Sequence, residues 1–224
     1  MSKNKYIIFE GIDGSGKSTA LSLLASKLAK VLAPSELEIT KEPSNGTYGT
    51  EFRKLIQLSA IEDKEGFDSI YPKDKFEILL NHLLQADRID HLFGYGNIHN
   101  KLLMGKTILQ DRSFLSNLAY QEIDISTQKE FILQGKNQFK TVVVYIDTKP
   151  EIALERIKSR AANDGTPFDK FEKLDELTRI YKNYNDIFAS DYFQDLLKKD
   201  WKLIRINGNQ TQEEILDELN LRLR

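Results

Sequence analysis

The fold is decided by the stretch Gly11-Ile12-Asp13-Gly14-Ser15-Gly16-Lys17-Ser18, which fits G-x-x-x-x-G-K-[ST], the pattern of a P-loop that binds nucleotide phosphates. An apolar run of β type, residues 5–10, leads into it, and residues 19–31 follow with apolar side chains at helical spacing. A strand, a glycine turn and a helix in this order are the context that the motif needs. The stretch therefore predicts a phosphate-binding loop at the end of the first strand.

The residue types of this loop suit the binding of ATP. Glycines allow successive backbone N–H groups to turn inward around phosphate oxygens, and the following helix adds its positive N-terminal end. Lys17 can bridge the terminal phosphates, and the Ser18 hydroxyl can ligate Mg²⁺. A glycine turn that only joins a strand to a helix is the alternative, but it requires neither the lysine nor the hydroxyl. The predicted ATP-binding residues are Gly11, Ile12, Asp13, Gly14, Ser15, Gly16, Lys17, Ser18 and Thr19.

The composition is that of one globular domain. With 224 residues, 40% hydrophobic and 29% charged, the chain can bury a full core, and we expect a single domain over residues 1–224. The formal net charge of −2 does not indicate a nucleic-acid or membrane partner, and no apolar run approaches the roughly 20 residues of a membrane span. The chain has no cysteine, which excludes disulfides and thiolate metal sites and fits a cytoplasmic protein.

Strand-like runs and helical patterns alternate along the whole chain. The predicted strands are residues 5–10, 37–41, 106–110, 141–147 and 201–207. The predicted helices are residues 19–31, 50–58, 73–93, 97–104, 113–121, 150–160, 168–197 and 211–224, and residues 127–138 have a weaker helical pattern. Such alternation implies a parallel sheet covered by helices on both faces, and it predicts a three-layer α/β/α P-loop NTPase fold.

Polar residues follow two of these strands, at the sheet edge where open parallel sheets bind their ligands. The turn-rich loop 42–49 follows the second strand, although an ordinary connecting loop is an equally good interpretation. Asp111 ends the third strand, which is the Walker-B position for Mg²⁺ or its water shell. Asn117 and Tyr120 stand three residues apart on the next helix and so share a face, although Tyr120 could instead be a core residue.

Two further segments are open to interpretation. Residues 161–167 are small, polar and glycine-containing, and they interrupt two helical patterns, so we expect a short mobile lid over about residues 156–172. On the local pattern alone, Asp87 and Arg88 are best interpreted as a solvated face of the helix 73–93.

Taken together, several blocks resemble the thymidylate kinases, P-loop enzymes that phosphorylate dTMP with ATP. The matching blocks run in order over nearly the whole chain, and they are residues 9–19, Lys41-Glu42-Pro43, Ala86-Asp87-Arg88, Asp111-Arg112, Ser116-Asn117, Ala119-Tyr120-Gln121, Asp169-Lys170-Phe171-Glu172 and Tyr184. Many NTPases share the P-loop, whereas the spaced set Glu-Pro, Asp-Arg and Ser-Asn-x-x-Tyr is far more specific.

The resemblance implies a role for each matched residue of the acceptor site. Asp13 resembles the P-loop carboxylate near the acceptor phosphate and sugar. Arg88 and Arg112 resemble the arginines that hold the dTMP phosphate, a task that suits the guanidinium group. Asn117 matches a polar residue near the thymine base, and Tyr120 matches a ring under the sugar that crowds out a 2′-hydroxyl. The implied acceptor-binding residues are Glu42, Pro43, Leu84, Arg88, Arg112, Asn117 and Tyr120.

The resemblance also implies which groups act on the transferred phosphate. Asp111 matches the acidic residue near Mg²⁺, with Ser18 as the second metal ligand. The P-loop lacks the arginine that some members carry, and in such members a lid arginine supplies the charge. Arg160 is the candidate for this role; Arg156, the second candidate, is placed with the ATP-binding residues. The implied catalytic residues are Lys17, Asp13, Arg112 and Arg160.

The chain departs from the family pattern at three positions. Leu84 stands where the family usually has a phenylalanine that stacks on thymine, Ser113 where an aromatic usually follows Asp-Arg, and Lys170 where a lid arginine is common. A leucine still packs against an apolar base, but it lacks the offset-stacking contribution of about 1 kcal/mol.

The function that the resemblance implies is phosphoryl transfer from MgATP to dTMP, which gives dTDP for dTTP synthesis. A homodimer is implied as well, with the helix 73–93 as an interface element. Leu84 and Ser113 also allow a kinase for another (deoxy)nucleoside monophosphate. A regulator that hydrolyses or senses ATP is a further alternative, but such a sensor would not require the second phosphate-binding set, Arg88 and Arg112.

Overall fold

Five parallel strands form a sheet in the computed structural model, which describes residues 5–61, 72–121, 139–164 and 172–223. The strands are β1 (Lys5–Glu10), β2 (Leu37–Lys41), β3 (Thr107–Asp111), β4 (Lys140–Asp147) and β5 (Trp201–Asn207). Their order across the sheet is β2-β3-β1-β4-β5, and every neighbouring pair is parallel. The five predicted strands are therefore confirmed, with β1 at the centre.

Helices cover both faces of this sheet. The helices of the described residues are α1 (Lys17–Leu28), α2 (Thr47–Ile61), α3 (Lys73–Phe93), α4 (Ile98–Leu103), α5 (Phe114–Gln121), α6 (Pro150–Asp164), α7 (Leu174–Ala189), α8 (Asp191–Leu197) and α9 (Gln212–Arg222). Ile7 of β1 packs with α1 and α9, whereas Ile8 points to the other face and packs with α5, α7 and α8. The three-layer α/β/α architecture is thus confirmed. None of the described helices combines the length and the apolarity that crossing a bilayer requires.

The strand register brings the ends of the central strands to one edge of the sheet. Phe9 pairs with Asp111, and Lys41 on the other side of β3 pairs with the same residue. Glu10, the last residue of β1, pairs with Tyr145 of β4. The loops that follow β1, β2 and β3 therefore open at the same edge, and this places the P-loop beside the residues that follow Glu42 and Asp111.

α6 is longer than the sequence pattern predicts. It runs to Asp164 instead of ending at Arg160. Ala161 and Ala162 are the strongest helix formers, and they outweigh the polar residues that follow them. Residues 156–164 of the predicted lid are therefore helical. The rest of the lid, including Lys170, falls largely on residues 165–171, which lie outside the described residues.

Other predicted helix boundaries were wrong for identifiable reasons. The single helix predicted over 168–197 is divided, because Ser190 is extended (φ −64°, ψ 145°) and its side chain caps α8 by accepting a hydrogen bond from Phe193 N at 3.3 Å. α2 extends beyond 50–58 at both ends, to Thr47 and Ile61, and its Phe52, Leu55 and Ile56 pack against α3. The weak helix predicted over 127–138 lies outside the described residues.

Candidate active site

The P-loop bends around a space at the carboxyl end of β1. Gly14 and Gly16 have positive φ angles of 74° and 96°, which glycine adopts without strain. A Cβ at Gly14 would also press on the carbonyl group of Ala153 in α6. Gly16 is the N-cap of α1 and has no side chain to cap it, so the first N–H groups of the helix remain available to a phosphate. The Ile12 side chain is buried in the core, so only its backbone can face ATP.

Lys17 begins α1 beside the carboxylate of the loop. Its Nζ lies 3.5 Å from Asp13 Oδ1, and the side chain is buried. Burial lowers the pKa of Lys17, Arg112 lowers it further, and Asp13 acts in the opposite direction. A triphosphate next to Lys17 would favour the charged amine, since an adjacent negative charge raises the pKa of a lysine.

Ser18 and Asp111, the two predicted metal ligands, are in direct contact. Ser18 Oγ donates a hydrogen bond to Asp111 Oδ2 at 2.8 Å. The other oxygen, Asp111 Oδ1, is buried without a hydrogen-bond partner in the described part of the chain. A hydroxyl and a carboxylate with an open oxygen fit Mg²⁺, which takes its other ligands from phosphate and water. No group of three or more His, Cys, Asp or Glu side chains that could hold a metal comes together among the described residues.

A cleft of about 220 Å³ opens beside the P-loop. Its lining contains Asp13 and all of the acceptor-binding residues implied by the resemblance. Phe52 and Ile56 of α2 form an apolar wall together with Leu84 of α3, and nothing in the sequence motifs indicated the two α2 residues. Gln121 also lines the cleft, and its Oε1 is a buried acceptor without a partner among the described residues.

Arg112 joins this cleft to the P-loop. Its Nη2 donates to Asp13 Oδ1 at 2.6 Å and to the Tyr120 hydroxyl at 2.9 Å, and that hydroxyl donates to Asp13 Oδ2 at 2.9 Å. The guanidinium also lies 4.7 Å from the centre of the Tyr120 ring. Burial alone would raise the pKa of Asp13, but Arg112 and Lys17 outweigh it and hold the pKa well below its usual range. The Tyr120 hydroxyl therefore faces the cleft, while the side chain also packs against the core, so both interpretations of this residue hold in part.

The backbone of Arg112 is unusual as well. Its φ is 67°, a left-handed conformation that is uncommon outside glycine. Two hydrogen bonds hold the backbone of Arg112 in this conformation. The Arg112 N–H donates to the carbonyl oxygen of Phe9 at 2.9 Å, and Gln110 Nε2 donates to the carbonyl oxygen of Arg112 at 2.9 Å. This turn at the end of β3 aims the guanidinium back at the P-loop, and such local strain is typical of functional sites.

Arg88 lies on another wall of the cleft and is buried in an ion pair. Its Nε and Nη2 donate to Glu42 Oε2 at 2.8 and 2.7 Å, and Nη2 also lies 3.3 Å from Asn117 Oδ1. His91 Nδ1 is 3.4 Å from Glu42 Oε1, to which Gln110 Nε2 donates at 3.1 Å. Burial would raise the pKa of Glu42, but Arg88 and His91 outweigh it and lower the pKa. The Nδ2 group of Asn117 is a buried donor without a partner among the described residues.

Asp87 and Arg88 were not the solvated helix face that the local pattern favoured. Asp87 is 1% exposed and accepts hydrogen bonds from the backbone N–H of Ser44 at 2.7 Å and from its hydroxyl at 2.5 Å. Since these bonds tie the loop after Pro43 to α3, the predicted loop 42–49, whose last three residues belong to α2, is more than a simple connection: Glu42 and Pro43 are held at the wall of the cleft.

The two candidate lid arginines have different partners. Arg156 donates to the carbonyl oxygens of Ser15, at 3.1 Å, and of Gly208, at 2.8 Å, so it lies against the P-loop. Arg160 lies one turn further along α6, is 48% exposed at its side chain and donates to Glu172 Oε1 at 2.6 Å. Neither arginine lines the acceptor cleft.

Comparisons with known proteins show which family the chain resembles. The model of the thymidylate kinase family matches residues 9–215. Thymidylate kinase of Leptospira interrogans is 32% identical over 222 residues, which cover 96% of this chain and 93% of the relative. Thymidylate kinase of Campylobacter concisus is 28% identical over 223 residues and 96% of each chain. The crystal structure of thymidylate kinase from Ehrlichia chaffeensis has the same fold, with a TM-score of 0.61 at 20% identity over 99% of this chain and 98% of that one.

Proposed function

The chain belongs to the thymidylate kinase family, and on that premise we propose how its cleft transfers the terminal phosphoryl group of ATP to dTMP to give dTDP. The observation that carries the proposal is the contact of Asp13 in the P-loop with Arg112 in the cleft, at 2.6 Å. Asp13 contacts both Lys17 of the P-loop and Arg112 of the cleft, so the residues proposed to bind the ATP phosphates lie next to the residues proposed to bind the dTMP phosphate. Phosphoryl transfer requires this alignment more than any covalent chemistry by the protein.

In this proposal different basic residues bind the phosphates of the donor ATP and of the acceptor dTMP. Lys17 and the N–H groups at the start of α1 hold the terminal phosphates of ATP. Arg112 holds the phosphate of dTMP, since it is the cleft arginine that contacts the P-loop. Arg88 is the second predicted phosphate ligand, and its contact with Asn117 also places it beside the residue expected to meet the base. Asp13 orients Arg112 and Lys17 between the two substrates.

Mg²⁺ is proposed as the cofactor, brought in with ATP. Ser18 Oγ and the open oxygen of Asp111 would hold it or its water shell, which the unpartnered Oδ1 supports. When bound, it would neutralise charge on the phosphates during the transfer. Arg160 is proposed as the lid arginine that adds positive charge to the transferred group, which requires it to leave Glu172.

Base recognition is proposed to rest on an apolar wall and a few polar groups. Leu84, Phe52 and Ile56 provide the wall, and the unpartnered Nδ2 of Asn117 is a donor suited to a carbonyl oxygen of the base. Leu84 and Ser113 also favour a second possibility, a kinase with a broader choice of deoxynucleoside monophosphates, because neither residue stacks on the base.

A homodimer through α3 is also part of the proposal. Ile78, Ile89 and Phe93 are 49%, 51% and 49% exposed and lie on one face of this helix. An exposed apolar stripe of this kind is typical of a protein interface. Ile89→Glu should convert the dimer to a monomer in sedimentation analysis. A cytoplasmic location, where ATP and dTMP are both available, remains a prediction.

A coupled kinase assay tests the acceptor. ADP release is measured with MgATP and dTMP, dUMP, dCMP, dGMP or dAMP, and without an acceptor, and Lys17→Ala serves as the inactive control. We expect the highest kcat/KM with dTMP and very slow ADP release without an acceptor. Equal rates with and without an acceptor would instead support an ATPase or an ATP sensor, and a higher rate with another monophosphate would change the substrate.

A further inference from the structure

Glu10 is a buried carboxylate beneath the acceptor site with no assigned role. It is the last residue of β1, directly before the P-loop, and is 0% exposed. Its oxygens accept hydrogen bonds from three hydroxyls: Ser113 at 2.7 Å, Ser116 at 2.7 Å and Tyr184 at 2.9 Å. Burial raises the pKa of Glu10, and the hydrogen bonds from Ser113 and Ser116 act against this increase. Burying a carboxylate costs free energy unless hydrogen bonds compensate for it, and an apolar residue at this position would avoid that cost. The buried carboxylate and its three hydroxyl partners therefore point to a function.

One of these hydroxyls connects Glu10 to Arg112. Arg112 Nη1 donates to Ser116 Oγ at 3.1 Å, while Ser116 Oγ donates to Glu10 Oε2 at 2.7 Å. A serine hydroxyl has one proton and two lone pairs, so donation to Glu10 leaves a lone pair for the arginine. Nη2 of the same guanidinium donates to Asp13. Arg112 is therefore held between two carboxylates, Asp13 directly and Glu10 through a serine.

We propose that Glu10 is a positioning residue for the acceptor: its carboxylate orients the Ser116 hydroxyl, which fixes the Arg112 guanidinium that binds the acceptor phosphate. The inference rests on the proposed function of Arg112. The direct contact with Asp13 alone leaves the guanidinium free to turn about the Nη2 contact, whereas two contacts on different nitrogens define its plane. The negative charge of Glu10 matters because a hydrogen bond from Ser116 to an ionised carboxylate is stronger than one to a neutral group. The stronger bond polarises the Ser116 hydroxyl, which makes its oxygen a better partner for Arg112.

Glu10→Gln is the matched substitution, since it keeps the size of the side chain and its ability to form hydrogen bonds. The amide can donate to Ser116, which reverses the direction of that hydrogen bond and competes with Arg112. We expect kcat/KM for dTMP to fall by roughly 10- to 150-fold, the range for a hydrogen bond to a charged group. KM for ATP should change much less, because Glu10 acts on Lys17 only through its charge and is the smallest of the influences on the pKa of that lysine.

A double-mutant cycle shows whether Glu10 acts through Ser116. Ser116→Ala should lower kcat/KM for dTMP as Glu10→Gln does, and the double variant should be no worse than Ser116→Ala alone, because the path is already broken. Tyr184→Phe is the control for a merely structural effect. It removes the hydrogen bond from Tyr184 to Glu10 and the 3.0 Å contact of that hydroxyl with Ser116 Oγ, but it leaves the hydrogen bonds of Ser116 with Glu10 and Arg112 in place, so it should lower thermal stability and leave kcat/KM for dTMP nearly unchanged.

The outcomes separate this inference from the function on which it rests. If the wild-type enzyme does not phosphorylate dTMP, the proposed acceptor is wrong, and the same cycle is run with the monophosphate that the assay identifies. If the wild type is active and Glu10→Gln keeps the wild-type kcat/KM for the acceptor, the positioning role is overturned. It is also overturned if the losses in kcat/KM caused by Glu10→Gln and Ser116→Ala are additive in the double variant. A third contrary outcome is that Glu10→Gln lowers kcat/KM equally for ATP and for the acceptor while it lowers thermal stability as much as Tyr184→Phe does.

Discussion

Arg88 donates from both Nε and Nη2 to the same oxygen of Glu42, at 2.8 and 2.7 Å, and the two side chains are 2% and 5% exposed. Removing one partner of such a pair leaves an uncompensated buried charge, which costs roughly 3–5 kcal/mol. We therefore expect Glu42→Gln to lower the free energy of unfolding by about 3 kcal/mol, the low end, because glutamine still accepts a hydrogen bond. Urea unfolding at neutral pH measures this difference.

The control is a double variant, Glu42→Gln with Arg88→Met. It removes the cation that has lost its carboxylate, so it should recover a large part of the lost stability, although it would lose activity. If the double variant is less stable than Glu42→Gln alone, the loss does not come from the buried charge of Arg88, and the explanation by this ion pair is wrong.

The same pair predicts how stability depends on pH. Burial would raise the pKa of Glu42, but Arg88 and His91 lower it from its ordinary value of 4.5. The unfolded chain thus takes up the proton first as the pH falls, so the contribution of Glu42 is complete above about pH 4.5 and is lost as the pH falls further through the folded pKa. The gap in unfolding free energy between wild type and Glu42→Gln should be constant near neutral pH and should narrow in acid. A gap that widens in acid would contradict this sign.

The strands and the P-loop could be predicted because their signals are local: a continuous apolar run, and glycines with a lysine and a hydroxyl in register. The environment of Asp87 could not, since its partner is Ser44, 43 residues earlier in the chain. A helical pattern shows which residues share a face, but it does not show what covers that face. For the same reason Phe52 and Ile56 of the cleft were missed, as was Glu10, whose partners lie just before α5, on α5 and on α7.

Arg160 and Arg156 are expected to affect different kinetic constants. Arg160→Ala should lower kcat by about 10³-fold or more, the low end for an arginine that stabilises charge in phosphoryl transfer, with little change in dTMP affinity. Arg156→Ala is the matched control from the same helix. It loses contacts with the Ser15 and Gly208 carbonyls, so it should mainly raise KM for ATP. Steady-state kinetics with ATP and dTMP varied in turn measure both constants. A large loss of kcat in Arg156→Ala, with kcat retained in Arg160→Ala, would assign the catalytic role to Arg156.

Leu84→Phe should sharpen the preference for thymine. Leu84 is 5% exposed and lies in the apolar wall of the cleft. An aromatic ring at this position adds an offset-stacking contribution of about 1 kcal/mol, which corresponds to roughly fivefold in dTMP affinity. Leu84→Met, which conserves volume without a ring, is the control and should leave affinity nearly unchanged. Calorimetric titration with dTMP gives both values, and weaker binding in Leu84→Phe would indicate that the base lies elsewhere.

Tyr120 is expected to exclude acceptors with a 2′-hydroxyl. Its own hydroxyl is fixed by Arg112 and Asp13, both at 2.9 Å, so the ring has little freedom to move away from an added oxygen. The 2′-hydroxyl would lose its hydrogen bonds to water without replacement, at a cost of roughly 1–3 kcal/mol, or about 5- to 150-fold in kcat/KM for dTMP over its ribose counterpart. The ratio should fall toward one in Tyr120→Ala and fall only in part in Tyr120→Phe, which keeps the ring but loses the hydroxyl contacts with Arg112 and Asp13 that fix it. Competing the two acceptors against each other with each variant measures the ratio directly. A wild-type ratio near one, or an unchanged ratio in Tyr120→Ala, would show that the ring does not lie against the sugar.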